Sequence, residues 1–332
     1  MKINVRGLLA ASVGLLMLAS IACGAGESDQ VSVKLALDWY PNSNHLGLFI
    51  AEEKGYFAEE NLVVNMYTPV DPSTVLQTVG AGSDDFGISY QPELLMARAQ
   101  GVPVVSIAGM VQHPLNSVVA LASSGITRPA DLKGKKVGYA GLPTGESLLD
   151  TMLKYDGLVG LGDVELVNVG FDLAPVLISG TVDAVVGAYW THETILLENA
   201  GYPVVVLRLE EWGVPDYYEL VMVASEDKLA QDPQVVERFL RAVRRGYADA
   251  LADPQAGVDV LLRSAQGEEV DVAIERPGAD LLKPVWKTSK ADFGEQDSSR
   301  WQSFADWMHD NGLLAEEMDA SKAFTSQFED SK

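Results

Sequence analysis

The chain has 332 residues, of which 47 are acidic and 24 are basic, so its formal net charge is −23 at pH 7. Such an excess of negative charge repels nucleic acid and anionic lipid headgroups, which argues against a nucleic-acid partner. The length exceeds what one compact core usually holds and predicts a protein with two lobes.

The first 22 residues have the pattern of an export signal. A short charged start precedes an apolar run over residues 8–22, which is too short for a comfortable membrane span. Residues 20–23 resemble the lipidation box of bacterial lipoproteins, so we expect cleavage before Cys23, a lipid on Cys23 and a polar tether over residues 23–30. The other interpretation is an ordinary secretory signal, which leaves this lone cysteine of an exported chain without a disulfide partner.

Alternating strand and helix patterns follow over residues 31–110. Apolar and polar side chains alternate in residues 31–37, which indicates a strand with one buried face. The pattern over residues 45–60 predicts a helix that ends near Gly55. Asp71 is expected to cap the next helix. The other predicted elements are strands at residues 62–67, 86–89 and 102–110 and helices at residues 71–79 and 92–100. This alternation is typical of a doubly wound, mostly parallel α/β sheet.

A second unit of the same kind follows. Its predicted elements are strands at residues 136–139, 164–169 and 184–188 and helices at residues 144–153 and 173–179. Two similar β-rich segments, residues 116–123 and 218–225, are interpreted as strands that cross between the lobes and form a hinge. Lobe 1 then comprises residues 31–114 and 220–332, with the C-terminal helices, and lobe 2 comprises residues 115–219.

The loops after several predicted strands are rich in aromatic and amide side chains. In open α/β sheets the carboxyl ends of the strands meet at one edge, where ligands bind. The candidate ligand-binding residues at this edge are Trp39, Tyr40, Asn42, Asn44, Asp71, Tyr90, Gln91, Asn116, Tyr189, Trp190 and Glu193. Their rings can stack on a flat heterocycle, and their amides and carboxyls can bond its edge. For each residue alone, packing or capping is the alternative.

Signs of catalysis or metal binding are weak. The chain has no glycine-rich phosphate loop, no His-Glu-x-x-His motif and no Gly-x-Ser-x-Gly motif. His192 and Glu193 are neighbours, but two adjacent ligands are poor evidence for a metal site. We therefore predict that the protein is not an enzyme and that it binds neither a metal nor a cofactor. Because the candidate loops contain no Lys or Arg, we also expect an unphosphorylated ligand.

Five segments of the chain together resemble one known family. They are DWYPNSNHLGLFIAEEKGYFAEENL from Asp38, DDFGISYQPELLMARAQGVPVV, QHPLNS, GAYWTHE and GVPDYYELV. In this order they resemble the periplasmic-binding-protein family that includes thiamine-pyrimidine synthases and the substrate-binding subunits of ABC importers for formylaminopyrimidine and riboflavin. The resemblance implies a two-lobed fold, a small heteroaromatic ligand, and an ABC permease with its ATPase as partners.

These patterns predict a solute-binding lipoprotein on the extracytoplasmic face of the cell membrane. Riboflavin is the expected ligand, because nine aromatic residues in or near the loops exceed what one pyrimidine ring needs. These residues are Trp39, Tyr40, Tyr90, Tyr139, Tyr189, Trp190, Trp212, Tyr217 and Tyr218. The alternative ligand is formylaminopyrimidine, and a receptor that senses rather than transports is a further alternative. An alternative of another class is a pyrimidine-synthesis enzyme. The resemblance implies that such synthases use a cysteine-rich segment and a lysine that binds pyridoxal phosphate, whereas Cys23 is the only cysteine here.

Overall fold

The computed structural model describes residues 30–141, 143–170, 172–265 and 270–329. The predicted export signal, Cys23 and all of the tether except Gln30 lie outside these residues. Within the described part, no helix combines the length and the apolar content needed to cross a bilayer.

Two five-stranded sheets organise the described residues. The strands are β1 (Val31–Ala36), β2 (Leu62–Tyr67), β3 (Phe86–Ser89), β4 (Val104–Val111), β5 (Asn116–Leu121), β6 (Lys136–Tyr139), β7 (Glu165–Asn168), β8 (Ala184–Tyr189), β9 (Val204–Arg208) and β10 (Leu220–Ser225). Sheet 1 has the order β2-β1-β3-β10-β4 and sheet 2 the order β7-β6-β8-β5-β9. In each sheet one strand, β10 or β5, runs antiparallel to its neighbours. This confirms the predicted two-lobed, mostly parallel α/β fold.

Helices cover both faces of the sheets. They are α1 (Leu46–Glu53), α2 (Tyr56–Glu59), α3 (Val75–Gly80), α4 (Gln91–Ala99), α5 (Pro143–Tyr155), α6 (Leu173–Ile178), α7 (Glu193–Asn199), α8 (Glu226–Gln231), α9 (Pro233–Ala252), α10 (Pro254–Ser264), α11 (Val272–Trp286) and α12 (Ser298–Asp310). The break predicted near Gly55 is confirmed, because Gly55 has a φ of 75° between α1 and α2.

The chain passes between the sheets twice, at residues 112–115 (connection 1) and at residues 209–219 (connection 2). β5 and β10 lie in the two segments that were predicted to cross between the lobes. Each strand immediately follows one connection and pairs within a single sheet, so the chain crosses in the connections. The predicted lobe boundaries fall at the ends of the two connections. The limits of the lobes and the hinge motion stay predictions.

The C-terminal helices pack on both lobes. α9, α10 and α11 share one core with α1 and the strands of sheet 1. α12 instead joins a core that also contains residues of lobe 2, and its Trp307 donates a hydrogen bond to Thr151 Oγ1 on α5 at 3.2 Å. The helix at the end of the chain therefore bridges the two lobes beside the connections.

Candidate functional site

The cleft between the two sheets is the candidate site. β4 ends at Val111 and β5 begins at Asn116, so the carboxyl edge of sheet 1 lies beside connection 1. β9 and β8 both pair antiparallel with β5 and so run in the same direction, and β9 leads into connection 2. The carboxyl edges of both sheets therefore meet at the connections, and ligands of α/β proteins bind at such edges.

A chain of hydrogen bonds holds the loop after β1. Asp38, which is buried, accepts from the hydroxyl of Tyr90 at 3.0 Å, and its other oxygen lies 2.8 Å from Nε2 of His45. Nδ1 of His45 accepts from the backbone N–H of Asn42 at 3.3 Å, so Nε2 carries the ring proton and donates to Asp38. Because Tyr90 directly follows β3, this chain joins two neighbouring strand ends of lobe 1.

Asn42 and Asn44 shape the turn after β1. The side-chain oxygen of Asn42 accepts from the backbone N–H of Asn44 at 2.8 Å and from its side-chain Nδ2 at 2.9 Å. Nδ2 of Asn42 donates to the Tyr40 carbonyl at 2.8 Å, and Tyr247 on α9 donates to the Asn44 carbonyl at 2.6 Å. The amide of Asn42 is therefore committed to the loop, whereas that of Asn44 makes one bond, and its Oδ1 has no partner among the described residues.

Glu219 is the centre of a second hydrogen-bond network. It is 1% exposed and directly precedes β10. Its Oε2 accepts from the backbone N–H groups of Leu115 at 2.7 Å and Asn116 at 3.1 Å, and from the hydroxyl of Tyr217 at 3.2 Å. Its Oε1 accepts from Nδ2 of Asn116 at 2.8 Å and from the hydroxyl of Tyr189 at 3.0 Å. One carboxyl group thus ties both connections to the end of β8 in lobe 2.

Burial decides the protonation of these tyrosines. It raises the pKa of Tyr90, Tyr189 and Tyr217 well above the usual value, and the charges of nearby carboxyls, including Glu219, raise it further. The three hydroxyls therefore stay protonated and act as donors. Burial also raises the pKa of Glu219, although its backbone and tyrosine donors lower it.

Glu193 closes the turn after β8. One of its oxygens accepts from the backbone N–H of Tyr189 at 2.7 Å, and the other lies 3.0 Å from Nδ1 of His192. Burial lowers the pKa of His192, but the hydrogen bond with Glu193 and the charge of Glu275 raise it, and the net shift is upward. If His192 is protonated, its positive charge offsets the negative charge of Glu193, and the turn has no net charge.

Two contacts hold the side chain of Trp190. Its indole N–H donates to the Pro114 carbonyl in connection 1 at 3.0 Å, and the guanidinium carbon of Arg208 lies 3.9 Å from the ring centroid. The candidate loops contain no Lys or Arg, but Arg208 at the end of β9 places a guanidinium over this ring. The sequence could not show this, because Arg208 is distant along the chain.

The remaining predicted residues lie at the rim of the cleft or behind it. Trp39 and Tyr40 are 38% and 57% exposed, and their rings meet edge to face with centroids 5.6 Å apart. Asp71 is exposed and caps the 3-10 helix that follows it, which confirms the capping prediction. Gln91 is fully buried, and its Oε1 accepts from the backbone N–H of Tyr218 at 2.8 Å in connection 2.

Three titratable residues of this region, His45, Glu93 and Glu219, were not among the predicted ligand-binding residues. One signal could have identified Glu219, because it immediately precedes β10, whose six residues are all buried. A lone carboxyl beside a fully buried strand must find buried partners. Glu93 has no comparable signal, since an acidic residue in the first turn of a helix is ordinary.

A concavity of about 500 Å³ is lined by residues of both connections and of α12. Arg300 and Asp216, which line it, are paired at 3.1 Å, and none of the predicted site residues contributes to it. The cleft is the better candidate because the predicted residues of both lobes meet there. In the part of the chain that the structure describes, no group of three or more potential metal ligands is found.

Comparison with known proteins identifies a matching family model and several related sequences. Residues 42–257 match the NMT1/THI5-like family model. The chain is 35% identical over 321 residues to the formylaminopyrimidine-binding protein of Halalkalibacterium halodurans, which covers 95% of this chain and 96% of that protein. It is 33% identical over 239 residues to the 4-amino-5-hydroxymethyl-2-methylpyrimidine phosphate synthase of Uromyces fabae, 69% of each chain.

The fold also matches solved structures. The periplasmic aliphatic sulphonate binding protein SsuA of Escherichia coli aligns with a TM-score of 0.70 at 16% identity, over 88% of this chain and 97% of that one. At that identity the match concerns the fold alone, and it agrees with the two lobes described above. The family match begins at Asn42, after Trp39 and Tyr40, and includes the end of β8 and both connections. The chain belongs to the NMT1/THI5-like family.

Proposed function

We propose that this protein is the solute-binding component of an ABC importer and that its ligand is formylaminopyrimidine. The observation that carries this proposal is the cleft itself, where Tyr90 of lobe 1 and Asn116 and Tyr189 of lobe 2 are held by the buried carboxyls of Asp38 and Glu219. Neither carboxyl is paired with a Lys or Arg among the described residues. Such acidic, aromatic surroundings suit a small ring that carries N–H donors.

The structure removes the main argument for riboflavin, which was the number of aromatic residues. Tyr217 and Tyr218 are buried, and they pack against the rings of Phe304 and Trp301 on α12. Trp212 packs edge to face on Tyr155 in lobe 2. Fewer rings are therefore free to stack on a ligand, and a single pyrimidine needs fewer. The relative named for formylaminopyrimidine, similar along almost the whole chain, supports the same choice.

The pyrimidine-synthesis enzyme is the weaker candidate. Synthases of this family supply a lysine for pyridoxal phosphate and a cysteine-rich segment, as the resemblance implies. The residues that bond to one another in this cleft include no lysine, and the whole chain has one cysteine. The side chains present do not fit that cofactor, whereas they fit reversible binding of a ring.

Titration calorimetry of the mature protein tests the proposal. We expect formylaminopyrimidine to bind with a dissociation constant of about 1 μM or lower, equivalent to about −8 kcal/mol. Riboflavin and an alkanesulfonate should give no heat of binding at the same concentrations. Tight binding of riboflavin without binding of the pyrimidine would reject the proposed ligand.

A matched pair of variants connects that binding to the cleft. Trp39→Ala removes a rim aromatic and should weaken binding by about 1 to 3 kcal/mol, the usual value of a stacking face. Tyr202→Ala is the control, because Tyr202 is similarly exposed at 37% but lies before the amino end of β9, away from the cleft edge. Equal affinities of the two variants would remove the loop after β1 from the site.

We further propose that the mature protein is anchored by a lipid on Cys23 at the extracytoplasmic face of the cell membrane. Cys23→Ala should then move the protein from the membrane fraction to the soluble fraction of the envelope, with an unchanged affinity for its ligand. Immunoblots of the two fractions, beside a wild-type strain, measure the change. Full retention of the variant in the membrane fraction would contradict the anchor.

A further inference from the structure

Glu93 is a carboxyl group that none of the networks above uses. It is the third residue of α4, which starts where the chain leaves the carboxyl end of β3. The residue keeps partial exposure, yet its Oε2 atom is shielded and has no hydrogen-bond partner among the described residues. A buried polar atom without a partner costs free energy, so a partner absent from the protein itself is expected here.

The neighbours of Glu93 belong to the cleft. Burial, with repulsion from Glu219, raises the pKa of Glu93 to about 7, although its own backbone N–H opposes the shift. The charge of Glu93 in turn acts on the hydroxyls of Tyr90 and Tyr217. Glu93 is therefore electrostatically coupled to Tyr90, which follows β3, and to Tyr217 and Glu219 in connection 2.

The other elements that pack on α4 do not neutralise Glu93. β4 and α3 contain no titratable side chain. α12 brings Arg300, which pairs with Asp216 at 3.1 Å, and Asp306, which accepts from Gln302 at 2.8 Å. Its remaining titratable residues are His309 and Asp310, which lie 3.7 Å apart. A neutral carboxyl is thus the favoured form of Glu93 at and below neutral pH.

The tyrosine hydroxyls of the two networks already have acceptors within the protein. The hydroxyl of Tyr90 donates to Asp38, and those of Tyr189 and Tyr217 donate to Glu219. Nε2 of Gln91 also has no partner, but that side chain is fully buried, whereas Glu93 is partly exposed. A protonated Glu93 therefore offers a ligand an O–H donor that no group of the two networks uses.

We infer that Glu93 is a ligand-contacting, specificity-determining residue whose carboxyl proton is donated to a ring nitrogen of the bound pyrimidine. The inference rests on the proposed function and deepens it, because it names the group that recognises the heterocycle. Pyrimidine nitrogens are acceptors, and an O–H donor pairs with them at no cost in charge. A ligand that lacks the ring nitrogen would leave the Glu93 donor unpaired and would bind more weakly.

This contact makes binding depend on pH in one direction. In the free protein Glu93 loses its proton as the pH rises through about 7. In the complex the proton is held between oxygen and nitrogen, so the pKa of Glu93 rises on binding. Binding therefore takes up one proton above pH 7 and none well below it. Below pH 7 the affinity is constant while the ring nitrogen of the ligand stays unprotonated, and above pH 7 it falls about tenfold for each pH unit.

Calorimetry of the full mature protein with formylaminopyrimidine, in pairs of buffers with different ionisation enthalpies, measures that proton. We expect an uptake close to one proton per ligand at pH 8 and close to none at pH 6. Glu93→Gln keeps an N–H donor that does not titrate, so it should bind within about threefold of wild type at pH 6 and show no uptake at pH 8. Glu93→Met removes the donor and should weaken binding about tenfold at pH 6. The control is Glu52→Gln on α1, because burial also raises the pKa of Glu52 but that residue is outside the cleft.

The outcomes separate this inference from the proposed function. Proton release on binding to the wild-type protein would overturn the inference without any variant. Proton uptake that persists in Glu93→Gln, or that disappears in Glu52→Gln, would also overturn it, since another group would then titrate. Pyrimidine binding with no dependence on Glu93 rejects the inference alone, whereas no pyrimidine binding by the wild-type protein rejects both.

Discussion

Replacement of Glu219 by alanine should lower the free energy of unfolding by about 3 to 5 kcal/mol, the usual cost of removing one member of a buried charged network. The substitution leaves five donors without their acceptor: the backbone N–H groups of Leu115 and Asn116, the side-chain amide of Asn116 and the hydroxyls of Tyr189 and Tyr217. Urea denaturation followed by tryptophan fluorescence measures the loss.

The same substitution should also weaken ligand binding by at least about 100-fold, because Tyr189 and Asn116 lose the group that orients them. Glu226→Ala is the matched control. Glu226 is a surface residue whose carboxyl pairs with Arg98 at 2.9 Å, and a pair of that kind contributes about 1 kcal/mol or less. If Glu219→Ala and Glu226→Ala were equally stable, the network around Glu219 would have no structural role.

Gly246→Ala should destabilise the protein by about 3 kcal/mol, because α1 and α9 touch at this position. A Cβ atom on Gly246 would overlap the carbonyl oxygen of Gly47, and one on Gly47 would overlap the ring of Tyr247. The backbone of α1 cannot move aside without leaving the core of lobe 1, so the added methyl group must separate the two helices. Thermal unfolding monitored by circular dichroism measures the change.

The same substitution should also weaken ligand binding in the cleft. Tyr247 donates to the Asn44 carbonyl, so a displaced α9 would release the loop after β1 and weaken ligand binding. Gly162→Ala serves as the control, because an added Cβ there meets no atom within 4 Å and its backbone needs no left-handed conformation. A melting temperature of Gly246→Ala equal to that of Gly162→Ala would contradict the close contact between the helices.

Local sequence patterns were sufficient for most of the elements. The alternation in residues 31–37 corresponds to β1, Gly55 separates α1 from α2, and Asp71 caps the helix after it. Each of these signals acts within a few residues, through side-chain direction, backbone freedom or a capping bond. β9 was not predicted, because this short edge strand is mostly half-buried and shows no apolar alternation.

The choice of ligand depended on contacts that no local pattern contains. A count of aromatic residues favoured riboflavin, but the count cannot distinguish a ring that faces the cleft from one packed on α12. Tyr217 and Tyr218 belong to the second kind, since Phe304 and Trp301 meet them from the far end of the chain. Packing of distant elements, rather than composition, therefore decides how much stacking surface a ligand finds.

The sequence by itself determined the class of fold, the two units of alternating strands and helices, the loops at the strand ends and the absence of cations from those loops. Only the tertiary structure showed the two carboxyl networks, because Glu219 meets Asn116 across 103 positions of the chain, and Tyr90 meets Asp38 across 52. In the sequence alone, a buried carboxyl group cannot be distinguished from one on the surface, because its burial and its hydrogen-bond donors are not visible there. Those follow from the packing of the two lobes against the connections, which depends on the whole chain at once.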